Sequence, residues 1–302
     1  MRQNVKVIFN FIKSKKKLTI GNKTLIMAIL NITPDSFSDG GLFENVNAAK
    51  RQVELFVKAG ADIIDIGAES TRPNAVPITA DEEIARLESI LNAVVKDCPL
   101  PISIDTYKAE TAEMAINLGV DIINDIYGLQ YEFEPLAMAK VAAKYNMPVV
   151  ATHNDINSEF LMHDKRLIIS DIKKFFKQTL KIANEVGLNK DNIVFDPGIG
   201  FNKTQEQNLE ILRRLDELKI IDGIEYPLLL GVSRKSVIGY ATNLPVDERD
   251  EATGAICVIG ITKGVNIVRV HNVAMISKMC KMADSILCSN LVIKNKYKQR
   301  NY

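Results

Sequence analysis

The 302-residue chain is 47% hydrophobic and 25% charged, enough to bury one large core, and barrels of alternating strands and helices commonly reach this length as one domain. Its 38 basic and 37 acidic residues leave a net charge of +1, which excludes a sequence-wide attraction to nucleic acid or anionic lipid. Cys98, Cys257, Cys280 and Cys288 form no CxxC pair, and no stretch reaches the roughly 20 apolar residues of a membrane span, so reduced thiols and a cytoplasmic location are expected.

At the N-terminus, "VKVIFNFIKSKKKL" is too short in its apolar part for a signal peptide and is broken by lysines. Residues 1–17 read as an extension, and "LTIGNKTLIM" at 18–27 reads as a β-hairpin feeding the first strand, with Gly21-Asn22 as its turn. β-Branched runs then recur at 24–33, 61–68, 101–106, 120–126, 147–153, 193–200, 227–233 and 265–272. Most are continuously apolar, as parallel strands covered on both faces require.

Helical periodicity fills the gaps. Ile84, Leu87, Leu91 and Val94 recur at three and four residues behind the capping box "TADE" from Thr79, and "TQEQ" from Thr204 repeats that signal ahead of Leu209, Leu212 and Leu215. Ser170 reads as the opening of a helix that carries Ile172, Phe175, Phe176, Ala183 and Val186 and stops at Gly187. The phrases "GADIIDI", "GVDIIND" and "GVNIVRV", starting at Gly60, Gly119 and Gly264, repeat a helix-ending glycine followed by a strand. Eight strand–helix units predict an α/β fold, a single-domain (β/α)8 TIM barrel over the whole chain, rather than an open doubly wound sheet. Residues 154–169 read as a polar loop and 291–302 as a frayed basic tail. "ATGAICVIGITKG" and "VAMISKMCKMADSIL" carry more apolar surface than one barrel face buries, which predicts a homodimer through these segments.

In such a barrel the reacting groups collect at the carboxyl ends of the strands. All eight ends here are polar: Asn31; Glu69 to Arg72; Asp105; Asn124; His153; Asp196; Ser233 to Lys235; Arg269 to His271. Any one of them is explained as readily by helix capping. Together they imply a ligand rich in hydrogen-bond donors, or a metal, because a buried carboxylate without a partner is costly. The first strand runs into "LNITPDSFSDGG", whose Asn31, Asp35 and Asp39 offer hard oxygen ligands for a Mg2+ held mainly by a diphosphate, while Phe37 would cover an apolar ring. Its length and glycines suit a mobile lid that excludes water, although its composition alone also describes a solvated turn.

Taken in order, "LNITPDSFSDGG", "GAESTRP", "SIDT", "IIND", "FDPGIGF", "GVSRKS" and "RVH" resemble the dihydropteroate synthase family over roughly residues 18–290. The resemblance implies a (β/α)8 barrel that joins 6-hydroxymethyl-7,8-dihydropterin diphosphate to 4-aminobenzoate, releasing diphosphate with Mg2+, in the pathway that sulfonamides inhibit. It implies pterin contacts from Asp105, Asn124, Asp196 and Lys235, with Asp105, Lys235 and Asp35 nearest the chemistry. Diphosphate would meet Asn31, Thr71, Arg72, Arg269 and His271, with Asn31 anchoring the metal. The second substrate would lie near Phe37, Thr71, Pro73, Lys235 and Ser236. With only His153, His163 and His271 there is little general-base machinery. A neutral arylamine needs little, so a dissociative order follows, diphosphate leaving first, and 4-aminobenzoate is expected to bind after the pterin diphosphate.

Several positions depart from the common family pattern. "ATHND" stands where Met-His-Met is usual, Asn202 replaces a glycine and is expected to be left-handed, and Asn272 replaces an Asp. Two rivals are a pterin-binding methyltransferase domain, which should lack "ESTRP" and the lysine of "SRK", and a non-catalytic pterin-binding homologue, which should have lost residues of the anion site. Both sets are present.

Overall fold

The apolar runs pair in chain order. The computed structural model describes residues 6–11, 13–32, 42–70, 75–154 and 164–287. Strands β1 (Val7–Asn10) and β2 (Lys17–Ile20) precede β3 (Leu25–Asn31), helix α1 (Leu42–Ala59), β4 (Ile63–Gly67), α2 (Ala80–Val95), β5 (Ile102–Asp105), α3 (Ala109–Leu118), β6 (Ile122–Asp125), α4 (Ala137–Lys144) and β7 (Val149–Thr152). Then follow α5 (Ile168–Val186), β8 (Ile193–Asp196), α6 (Gln205–Arg213), α7 (Leu215–Leu218), the short β9 (Ile220–Ile221) and β10 (Ile224–Glu225), β11 (Leu229–Leu230), α8 (Ser236–Thr242), α9 (Asp250–Thr262), β12 (Ile267–Val270) and α10 (Val273–Leu287).

Eight strands form one parallel sheet in the order β11-β12-β3-β4-β5-β6-β7-β8. Its two ends meet through a Phe195–Leu228 bridge and a 2.9 Å hydrogen bond from Phe195 N to Pro227 O, which nearly closes the expected barrel. Outward residues pack beneath the helices; Phe195, for example, stacks on Phe176 of α5 at 4.1 Å between ring centroids. Both rings are fully buried, and each such burial contributes about 1.5–3 kcal/mol. The capping boxes at Thr79 and Thr204 form as expected, and Gly60, Gly119 and Gly264 take φ of 96°, 104° and 98° at the repeated joint.

The inward faces position the site. Ile63, Ile122, Val150, Val194, Leu229 and Ile267 join Leu25 and Met27 in one buried apolar layer. Side chains alternate along a strand, so the next inward position up is Asp65, Asn124, Thr152, Asp196, Gly231 and Arg269. The barrel is thus greasy below and polar above.

The lower end is filled by the β1–β2 hairpin, whose Phe9, Phe11, Leu18 and Ile20 belong to the same apolar cluster. Two lysines fasten it to the barrel: Lys13 Nζ donates to Ile116 O at 3.0 Å and Lys16 Nζ to Leu100 O at 2.8 Å. This hairpin is not the one expected around Gly21-Asn22. Leu25 N donates to Asn266 O, and Thr24 bonds through N and Oγ1 to the Asp284 carboxylate, so residues 21–24 are a connector into β3 rather than a turn. Ser170 also differs from expectation. It lies inside α5, its hydroxyl donating to Leu167 O at 2.7 Å, and Asp164 caps the preceding 3-10 turn instead. The helix opened by Thr204 breaks at Arg214, which leaves Leu215 in α7.

Candidate active site

At the centre of the polar layer, fully buried Asp65 accepts through Oδ2 from Arg269 Nε at 2.6 Å and from Asn124 Nδ2 at 3.0 Å. Arg269 Nη2 also pairs with Asp105, so the guanidinium lies between two carboxylates. Burial works against its charge, but Asp65 and Asp105 outweigh burial and hold it firmly protonated. Asn124 spends Nδ2 on Asp65 and keeps Oδ1 as an acceptor for something else. Asp105 ends β5, and its Oδ1 is buried with no hydrogen-bond partner among the described residues. Burial lifts the Asp105 carboxyl to about 7, with Arg269 resisting and Asp65 adding to the rise.

Asp196 ends β8. Its Oδ1 accepts from Gly198 N at 2.8 Å, and its Oδ2 lies 3.2 Å from where a Cβ would project from Gly231. The loop beyond it is tied by the buried Lys203 ammonium, which donates to the carbonyls of His153, Gly198 and Phe201 at 3.2, 2.8 and 3.0 Å. Gly198 is required there: its φ is 67°, and a Cβ would fall 1.9 Å from His153 O. The Lys235 stem lies over Gly200, and its ammonium donates to Ile199 O, 4.4 Å from the Phe201 ring centroid. Burial pulls Lys235 down to about 8, while Asp196 and Asp105 resist and Arg269 adds to the drop. Burial likewise raises Asp196, against the pull of Lys235.

Beside Lys235, Arg234 has φ 60°, a left-handed conformation that costs a residue with a Cβ roughly 1–2 kcal/mol. Ser233 Oγ lies 2.9 Å from His271 Nδ1, joining the ends of β11 and β12. Ser236 is exposed at the start of the seven-residue α8, and its hydroxyl accepts from Gln205 Nε2 at 3.2 Å. Asn31 is half-buried at the end of β3, paired across the ladder with Gly67. Asp105, Asn124, Asp196, Lys235, Arg269 and His271 therefore share the carboxyl end of the barrel. Asp35, Phe37, Asp39, Thr71, Arg72, Pro73, His163, Cys288 and the tail at 291–302 lie outside the described residues.

Sequence reasoning missed Asp65, which sits inside the apolar run "GADIIDI". Only the knowledge that inward positions turn polar at that height picks it out. It also missed a buried network behind the rim: Lys108 pairs with Glu69 and, at 3.3 Å, with Glu83, which accepts from Thr106 Oγ1 at 2.9 Å. His153 is structural. Its ring packs against Phe175 at 4.8 Å, and burial, helped by the Lys203 charge, keeps it neutral. Asn202 is left-handed as expected, with φ 40°, and its amide donates to Asn154 Oδ1 at 3.0 Å, so two departures from the family pattern bond to each other.

Among the described residues no group of three or more His, Cys, Asp or Glu side chains is placed to hold a metal ion. Of the hard oxygen donors that the sequence offers for a cation, Asn31 alone lies among the described residues, half-buried at the end of β3.

Residues 27–271 match a family described as pterin binding enzyme. A dihydropteroate synthase of Clostridium beijerinckii is 48% identical over 273 residues, 90% of this chain and 97% of that one, and that of Bacillus subtilis is 44% identical over 272 residues, 89% and 91%. A Clostridium difficile dihydropteroate synthase crystallised in the presence of pteroic acid superposes with a TM-score of 0.82 at 45% identity, covering 88% of this chain and 98% of that one. A Xanthomonas albilineans dihydropteroate synthase with 4-aminobenzoic acid gives 0.84 at 29% identity, covering 95% and 99%.

Proposed function

Because the chain belongs to the dihydropteroate synthase family of pterin-binding enzymes, transferases of folate biosynthesis, we propose that the polar layer of its barrel is the pterin site. A pterin presents amino and ring N–H donors on one edge, and a carbonyl oxygen and a ring nitrogen on the other. Asp196 and Asn124 Oδ1 accept from the first edge, and Lys235 donates to the second. Asp105 Oδ1, without a hydrogen-bond partner among the described residues, faces the ring and the positive charge that develops on it. The observation that carries this reading is that Asp105, Asn124, Asp196 and Lys235, from four different strand ends, share the carboxyl end of the barrel above a buried apolar floor.

In the reaction, the bond from the pterin methylene carbon to the diphosphate oxygen breaks, and its electron pair leaves with diphosphate. The cation is delocalised into the pterin. The 4-aminobenzoate nitrogen then attacks with its lone pair and gives up a proton, leaving a C–N bond. The departing anion is served by His271, by Arg72 and Thr71, and by the Nη1 group of Arg269, whose Nε and Nη2 are already committed to Asp65 and Asp105. Asn31, at the end of β3, would offer its oxygen to a Mg2+ brought in with the diphosphate, and that ion would neutralise charge on the leaving group; Asp35 follows four positions later in the sequence. The arylamine is bounded by Phe37, Thr71 and Pro73, with its carboxylate toward Lys235 and the exposed Ser236 hydroxyl.

Exposed Ile259, Met282 and Ile286 on α9 and α10 suit a homodimer, and the cytoplasm suits the reduced cysteines; no helix of the described residues is long and apolar enough to cross a membrane. The deciding assay is formation of dihydropteroate and diphosphate from the pterin diphosphate, with and without 4-aminobenzoate and Mg2+. Turnover should require all three. Transfer of a methyl group instead, or pterin binding without turnover, would replace this reading with one of its rivals. Calorimetry should also find tighter 4-aminobenzoate binding when diphosphate and Mg2+ are present.

A further inference from the structure

The turn that delivers Lys235 is built against local preference, since Arg234 adopts φ 60° without being a glycine. What holds it comes from the head of α9 and the start of α10. The Arg234 fork meets Asp250 at two points, Nε to Oδ1 at 2.7 Å and Nη2 to Oδ2 at 2.8 Å. Arg234 N donates to Thr253 Oγ1 at 3.1 Å, and Arg249 Nη1 donates to Arg234 O at 3.1 Å. The Asp250 carboxylate is itself oriented: Asn272 Nδ2 donates to its Oδ2 at 3.0 Å, while Asn272 Oδ1 accepts from Met275 N at 3.2 Å in the first turn of α10. Asn272 directly follows His271, which bonds to Ser233. Two bridges therefore stitch the end of β11 to the end of β12, Ser233–His271 and Arg234–Asp250–Asn272.

We propose that Asp250 and Asn272 are positioning residues, a carboxylate–amide pair that locks Arg234 in its left-handed turn and so sets Lys235 and His271 relative to each other at the barrel mouth. Neither belongs to the set assigned above to substrate contact. The family pattern usually has Asp at position 272, and here that residue would bring a second carboxylate to within 3.0 Å of Asp250, where both could not stay ionised. Asparagine supplies the N–H that lets an acid at 250 grip Arg234 instead. In this chain the charge that serves the turn lies on α9, and the amide at position 272 is its hydrogen-bonded companion. The inference rests on Lys235 serving the pterin, as proposed above.

The test is a charge swap measured against the unaltered enzyme. Asp250→Asn and Asn272→Asp should each lower kcat/KM for the pterin diphosphate about tenfold, and the double variant, which returns one acid and one amide to the pair, should recover to within about threefold of the parent. Asn272→Asp keeps the helix cap, because Asp caps a helix as well as Asn does, so a lowered thermal midpoint in it reports the two facing carboxylates and should return toward the parent in the double variant. A second readout needs no turnover: the pH dependence of Lys235 acylation, followed by mass spectrometry, should move toward ordinary lysine behaviour in both single variants and return in the double. Parent-like kcat/KM and acylation in the single variants, or a double variant no better than the worse single, would overturn the proposal. Absence of dihydropteroate synthesis in the parent, with acylation shifting as described, would instead fault the functional reading and leave the positioning pair standing.

Discussion

Replacing Asp65 with Asn removes one charge from the least exposed point of the site and almost no volume. An amide oxygen in the Oδ2 position can still receive Arg269 Nε and Asn124 Nδ2, now 2.6 and 3.0 Å from the carboxylate, and the amide nitrogen falls where Oδ1 has no partner among the described residues. The geometry survives and the charge does not. A hydrogen bond assisted by charge contributes about 1.5–3 kcal/mol, and weakening the one that orients Asn124 should cost roughly ten- to hundredfold in pterin affinity. A second signature separates this from a general loss of packing. The Asp65 charge raises the Asp105 carboxyl, so its removal should let Asp105 ionise at lower pH than about 7 and draw the acid limb of the pH–rate profile down with it. Calorimetric titration with the pterin diphosphate and a profile of kcat/KM against pH would measure both. Affinity within twofold of the parent together with an unmoved acid limb would refute the idea that Asp65 organises the pterin contacts.

Asp196→Asn should weaken pterin binding by roughly ten- to hundredfold in the same titration, because a ring N–H would lose its ionised acceptor; equal affinity would remove Asp196 from the site. The parent profile of kcat/KM should be bell-shaped, falling below about 7 as Asp105 takes a proton and ceases to accept, and falling above about 8 as Lys235 loses the proton it donates. A rate that stays flat from about pH 5.5 to 9 would contradict both assignments. Gly231→Ala places a Cβ 3.2 Å from Asp196 Oδ2 and should cost about tenfold in pterin affinity with little change in circular dichroism; an unaffected titration would mean that the carboxylate has room to move aside.

Much of the architecture was legible because it is local. A run of β-branched residues, a capping box at Thr79 or Thr204 and a glycine forced to positive φ each leave their mark within a few positions, and all three are where the pattern puts them. Strand-end acids and amides such as Asp105, Asn124 and Asp196 were legible for the same reason. Contacts across the fold were not. The Asn154–Asn202 bond spans 48 residues, Asp250–Asn272 spans 22, and Arg269 reaches back 204 residues to Asp65. Nothing near Arg269 in sequence says that its guanidinium is already claimed by two carboxylates. The misplaced hairpin has a similar origin: Gly21-Asn22 is a good turn locally, but Asp284, far along the chain, takes the hydrogen bonds of Thr24.

The hairpin that stoppers the barrel has a kinetic corollary. Its four apolar anchors rest on residues from strands spread between Leu25 and Ile267, so the segment that precedes the barrel in the chain cannot find its seat until the last strand has been laid down. Pairings of such sequence separation form slowly, so Phe9 and Phe11, buried in the finished fold, should stay exposed until that stage. Refolding of this chain should accordingly end in a late docking step, sensitive to apolar substitutions at those two phenylalanines and indifferent to changes at the catalytic rim.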